Sequence, residues 1–180
     1  MADGDSKTAG QGGWIAALRP QCWGVQSVGV GGSTVATALA AADTRLGSVT
    51  VTPDTILLGW GVNDASAALP NEATWKANWA LLLAEYTDRW PAAAIYIAKP
   101  WSGAYGDDAR WDTLAGWIDD VVAACGASCH AGADERDSGF DQGMEWTDNG
   151  VTYYADDLIH YDSTVGQARW ALLWKWVLGL

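Results

Sequence analysis

The sequence predicts a three-layer α/β/α domain built on a parallel sheet, with its strands in flavodoxin-like order. Three observations predict it. Short apolar runs alternate with amphipathic stretches, the pattern of strands joined by crossover helices. Gly, Pro and Asn stand where those runs and stretches end. The 180 residues are 49% hydrophobic and 18% charged, the composition of one folded domain over residues 1–180 with a single substantial core.

The elements follow in order. Only Met1, Ala2 and Asp3 precede Gly4-Asp5-Ser6, so the first strand is expected to be truncated, as in a trimmed or fragmentary chain. Ala2 to Asp5 are still predicted to run extended beside the second and third strands. "CWGVQSVGV" (22–30) reads as a strand ending in a glycine-rich turn, and "STVATALAAADTRL" (33–46) as a helix capped by Ser33 or Thr34. "TILLGWG" (55–61) is a compact apolar run with branched residues and reads as a buried strand.

"NEATWKANWALLLAEYTDRW" (71–90) is a long helix ended by Pro91, with Trp75, Trp79 and Leu82 on its core face. "AAAIYIAKP" (92–100) is the next strand, "ARWDTLAGWIDDVVAAC" (109–125) the next helix, and "ASCHAGA" (127–133) a weaker strand. "MEWTDNGVTYY" (144–154) resembles a hairpin turned at Asn149-Gly150, and "STVGQARWALLWKWVLGL" (163–180) is a final helix.

The net charge is -12, from 10 Lys+Arg against 22 Asp+Glu. Such a surface repels phosphate backbones and anionic bilayers, so neither nucleic acid nor membrane is an expected partner. No run approaches the length of a membrane span, and no secretory signal is visible. The compartment and the oligomeric state are not assigned. Cys22, Cys125 and Cys129 are read as buried or half-buried thiols, with a bridge across the tight Cys125–Cys129 spacing left open. No metal site is expected from them.

Ligands of open parallel sheets gather beyond the carboxyl ends of the strands. Ser6, Gly31-Gly32 and Asn63-Asp64 follow the first three strands, and Asp157 and His160 precede the last helix. Acyl transfer needs residue types of this kind. A serine hydroxyl needs a base, histidine titrates near neutrality, and a carboxylate fixes the histidine tautomer. Backbone amides and an asparagine side chain suit the developing oxyanion. His130 is the other histidine and is read as structural. GxSxG, GxxxxGK[ST] and HExxH are absent, and "GVGGST" (29–34) lacks the third glycine of a dinucleotide loop.

Gly4-Asp5-Ser6, Gly32, Gly61-Val62-Asn63-Asp64 and Asp157-Leu158-Ile159-His160 together resemble, in order and spacing, the four blocks of the SGNH (GDSL-type) hydrolases. The resemblance spans nearly the whole chain. It implies Ser6 as nucleophile, His160 as general base and then acid, and Asp157 as the group that orients His160. It also implies an oxyanion hole made by the Ser6 and Gly32 amides and the Asn63 side chain. The activity it implies is hydrolysis of small acyl esters through an acyl-enzyme, acetyl groups on carbohydrate among them, without a metal or organic cofactor. A non-catalytic glycan-binding module on the same fold is the alternative.

Thirteen tryptophans are present, and most, Trp170 and Trp174 included, are expected in the core. Trp60, Trp101 and Trp146 lie near the expected active face. Trp60 and Trp101 are the candidates for stacking on a substrate.

Overall fold

The structure is a computed structural model that describes residues 1–9, 12–18, 20, 22, 24–66, 68–102, 108–135, 147–148, 151–152 and 165–180. Strands β1 (Ala2–Gly4), β2 (Thr55–Gly59), β3 (Ala94–Lys99) and β4 (Cys129–Asp134) form a wholly parallel sheet in that order. On its other side β1 is flanked by residues 26–30. The Ala2 amide donates to Gln26 O, and the Val28 and Val30 amides donate to Ala2 O and Gly4 O, at 2.8–3.0 Å. The spatial order is therefore second, first, third, fourth, fifth, the flavodoxin-like order expected.

Among the described residues, the predicted strand over 22–30 contributes one isolated bridge, Ala2↔Ser27, beside those bonds to β1. Ala2 to Gly4 do run extended in the central position. This three-residue strand is paired on both edges.

Two layers of helices cover the sheet. On one face α2 (Gly12–Leu18) packs against α7 (Val165–Leu178) through Trp14, which stacks on Trp174 at 6.2 Å and meets Trp170 edge-on at 6.5 Å. On the other lie α3 (Val35–Ala40), α4 (Ala42–Gly47), α5 (Glu72–Arg89) and α6 (Asp108–Cys125). Asn71 caps α5, whose Trp75, Trp79 and Leu82 are buried as their spacing predicts. The expected single helix over 33–46 is two helices that break at Ala41, and Thr34 caps the first in a reciprocal box with Thr37. A further short helix, α1 (Ser6–Ala9), follows β1 directly.

The hairpin expectation is met in part: β5 (Thr147–Asp148) pairs antiparallel with β6 (Val151–Thr152), while Asn149, Gly150 and Trp146 lie outside the described residues. Cys125 and Cys129 are joined in a disulfide, where thiols were expected. A 3₁₀ turn over Gly126–Ser128 brings their Cα atoms to 5.7 Å, within bridging range. Cys22 is a half-buried thiol. His130 lies on β4 with its ring 4.9 Å from Tyr96, the residue beside it on β3.

Candidate active site

The nucleophile candidate sits on a floor made of backbone. Gly4 and Gly59 are register partners on β1 and β2, and Gly29 runs along the other side of β1. Thr8 of α1 presses on all three. A Cβ on Gly4 would lie 2.6 Å from Gly59 O, and one on Gly29 would lie 2.8 Å from Gly4 O. Only glycine allows α1 to come this close to the sheet.

Asp5 starts α1: its carbonyl accepts from the Thr8 and Ala9 amides at 3.0 and 2.8 Å, and its Oδ1 accepts from the Lys7 amide at 3.0 Å. Its own amide donates to Gly59 O at 3.1 Å. Ser6, the first residue of α1, is half-buried.

The second block lies beside it. A Cβ built on Gly31 would sit 3.7 Å from Ser6 Cβ, so this turn borders the serine. Gly32 follows with φ +74°, a left-handed conformation that suits glycine, and its amide donates to no acceptor among the described residues.

The third block is tied to the second by two side chains. Asn63 Nδ2 donates to Ser33 O at 3.0 Å. Asp64 accepts from the Val35 amide at 3.0 Å and from Trp75 Nε1 at 3.0 Å, which links the loop after β2 to the start of α3 and to α5. Burial pushes the Asp64 carboxyl above its usual range, against the pull of those bonds. An amide nitrogen carries two protons, so the bond to Ser33 leaves one Asn63 N–H for a ligand.

Behind Ser6 lies a group of charges that sequence reasoning missed. Asp5, Lys7 and Glu135 are 1%, 4% and 2% exposed. Lys7 Nζ donates to Glu135 Oε2 at 2.7 Å and to Trp101 O. The Lys7 carbonyl accepts from Trp14 Nε1 at 3.2 Å, which joins the nucleophile turn to the α2–α7 layer. The Asp5 carboxyl is pushed up to about 7 by burial, with Lys7 pulling the other way. The space enclosed beside these groups and Trp170 is about 10 Å³. That is on the order of a single water molecule. The one legible signal was a charged residue directly after Ser6, in a turn that must pack against the sheet.

Two expectations are corrected. Trp60 and Trp101 are 0% and 3% exposed. Trp60 lies under the Arg45 guanidinium at 5.2 Å, and the Trp101 carbonyl takes a bond from Lys7. Rings covered in this way offer no face to a substrate, so both belong to the core. Asp157 and His160 lie outside the described residues.

No family model and no curated protein matches the sequence. Solved structures do resemble it. TesA superposes with a TM-score of 0.71 at 20% identity over 98% of this chain and 94% of its own. A GDSL-like lipase from Bacteroides thetaiotaomicron gives 0.70 at 16% over 99% and 86%. The psychrotrophic esterase EstA from Pseudoalteromonas sp., solved inhibited by monoethylphosphonate, gives 0.67 at 14% over 98% of each chain. At such identities the likeness is one of fold, and it extends over nearly the whole length of both partners. The fold of this chain is the one shared by TesA, this GDSL-like lipase and this esterase.

Proposed function

We propose that this chain is a serine ester hydrolase that works through an acyl-enzyme on acetyl and other short acyl esters, carbohydrate O-acetyl groups among them. The observation that carries the reading is that the Gly31–Gly32 turn borders Ser6 and that Asn63, from the loop after β2, is bonded to Ser33 beside that turn, the Gly32 amide having no acceptor among the described residues. It is also supported by the fold this chain shares with a GDSL-like lipase and an esterase.

In this reading Ser6 Oγ attacks the ester carbonyl carbon while its proton passes to His160, held in the correct tautomer by Asp157. The carbonyl π pair moves onto oxygen, where the Ser6 and Gly32 amides and Asn63 Nδ2–H receive the charge. Collapse expels the alkoxide, which takes the proton from His160 and leaves acyl-Ser6. Water then attacks, giving its proton to His160, and the acid departs as Ser6 is reprotonated.

The glycan-binding alternative drew on the tryptophan content. Trp14, Trp60, Trp75, Trp79, Trp101, Trp111, Trp170 and Trp174 are all buried, so that content is largely spent on the core.

The test is hydrolysis of p-nitrophenyl acetate, butyrate and longer esters, with labelling by a fluorophosphonate. Ser6→Ala is expected to lose at least about 10³-fold in kcat/KM, and all labelling. Asn63→Ala is expected to lose about 10²- to 10³-fold. His160→Ala loses most of the rate and Asp157→Ala less. A folded parent that neither turns over nor labels would falsify the esterase reading, and full activity in Ser6→Ala would overturn the choice of nucleophile. Acetylated xylan against the nitrophenyl panel distinguishes carbohydrate from simple esters.

A further inference from the structure

We propose that Lys7 is a positioning residue for Ser6, its ammonium holding the nucleophile turn to the loops that follow β3 and β4; the inference rests on the esterase reading above. β1 spans 3 residues and α1 spans 4, and a single helical turn does not hold its own shape. What grips the neighbours of Ser6 therefore helps to set its orientation.

Lys7 is gripped at every polar position. Its amide is held by Asp5 Oδ1, its carbonyl by Trp14 Nε1, and its ammonium by Trp101 O and Glu135 Oε2. The last two partners lie 94 and 128 residues away in sequence. One side chain thus joins the start of α1 to the loop beyond β3 and to the end of β4, across the same end of the sheet.

A buried ion pair is a poor source of stability, since desolvation offsets most of the Coulomb gain, but it does fix geometry. A leucine at position 7 would leave two buried acceptors, Trp101 O and Glu135, without this donor, a cost in stability as well as in alignment.

The test compares the parent with Lys7→Leu, Glu135→Gln and the double variant Lys7→Leu/Glu135→Leu. Each is followed by thermal unfolding, by kcat and KM on p-nitrophenyl butyrate, and by the rate of fluorophosphonate labelling. Lys7→Leu is expected to lower kcat and labelling by about 10- to 100-fold, the scale of loss when a reacting group is misplaced. KM should move by less than about threefold, as for an interaction made only in the transition state. The double variant should regain part of the lost melting temperature, because both charges have gone while Trp101 O still lacks the Lys7 donor, and should stay slow.

Recovery of both melting temperature and rate in the double variant overturns the inference, as does parental labelling in folded Lys7→Leu. Should Lys7→Leu not fold, the near-isosteric Glu135→Gln carries the test: slower labelling supports the inference and parental labelling overturns it. A folded but unlabelled parent overturns the esterase reading itself, and the inference with it.

Discussion

Two aspartates two residues apart in the sequence are buried in different ways. Asp3, inside β1, meets its cation directly: Arg45 Nη1 and the Tyr86 hydroxyl both donate to Asp3 Oδ2, and Arg45 Nη2 goes on to Ala38 O at 2.8 Å. Asp5, just beyond the strand, meets no side-chain cation among the described residues. The nearest ammonium, on Lys7, is committed to Glu135 and Trp101. Burial pushes both carboxyls up, but Arg45 and Tyr86 pull Asp3 back toward the ionised form, whereas Asp5 is left to titrate at about 7. The first cluster ties β1 to α4 and α5. The second is spent on the turn that carries Ser6. A buried charge is therefore informative through the partner it is denied as much as through the one it has.

The largest expected effect comes from breaking the Asp3 cluster. Arg45→Met leaves a buried carboxylate without its cation and should cost about 3–5 kcal/mol in urea unfolding. Little change would mean that Asp3 is already protonated in the native state.

The Asp5 cluster is tested by pH. Its native pKa of about 7 lies above the unfolded value of 3.8, so the folded state binds more protons between those limits. The stability contributed is complete below about pH 4 and is lost as pH rises through about 7, by at most about 4 kcal/mol. Asp5→Asn, which mimics the protonated form, should flatten the stability curve over that window. Asp3 and Asp64, also raised, keep a residual slope of the same sign. An unchanged slope in Asp5→Asn sinks this account.

The smallest effect sharpens the contrast. Tyr86→Phe removes one charge-assisted bond to Asp3 and should cost about 1.5–3 kcal/mol, without moving the pH window assigned to Asp5.

Long elements were legible because their periodicity is a local property. α5, α6, α7 and β3 fall within two residues of the predicted bounds at each end. Residues 22–30 were read as a full strand, yet only Ser27 forms a bridge, since pairing depends on neighbours the segment does not encode. α1 and α2 went unseen because "SKTA" is a single turn and "GGWIAAL" opens on two glycines. The serine, glycine and asparagine blocks were read from their order and spacing. Lys7–Glu135 was not, because nothing local marks a contact across 128 residues. Trp60 and Trp101 show the converse error: proximity in sequence to a motif says nothing about which way a ring faces.

The glycine floor has a consequence for descent. Gly29, Gly4 and Gly59 lie side by side on neighbouring backbone stretches, and a methyl group gained at Gly4 or Gly29 would run into the backbone carbonyl of the next. The charges above them can be exchanged in pairs with little cost to folding. A lineage drifting from this chain can therefore rewrite how its turn is held long before it can change how closely that turn lies on the sheet.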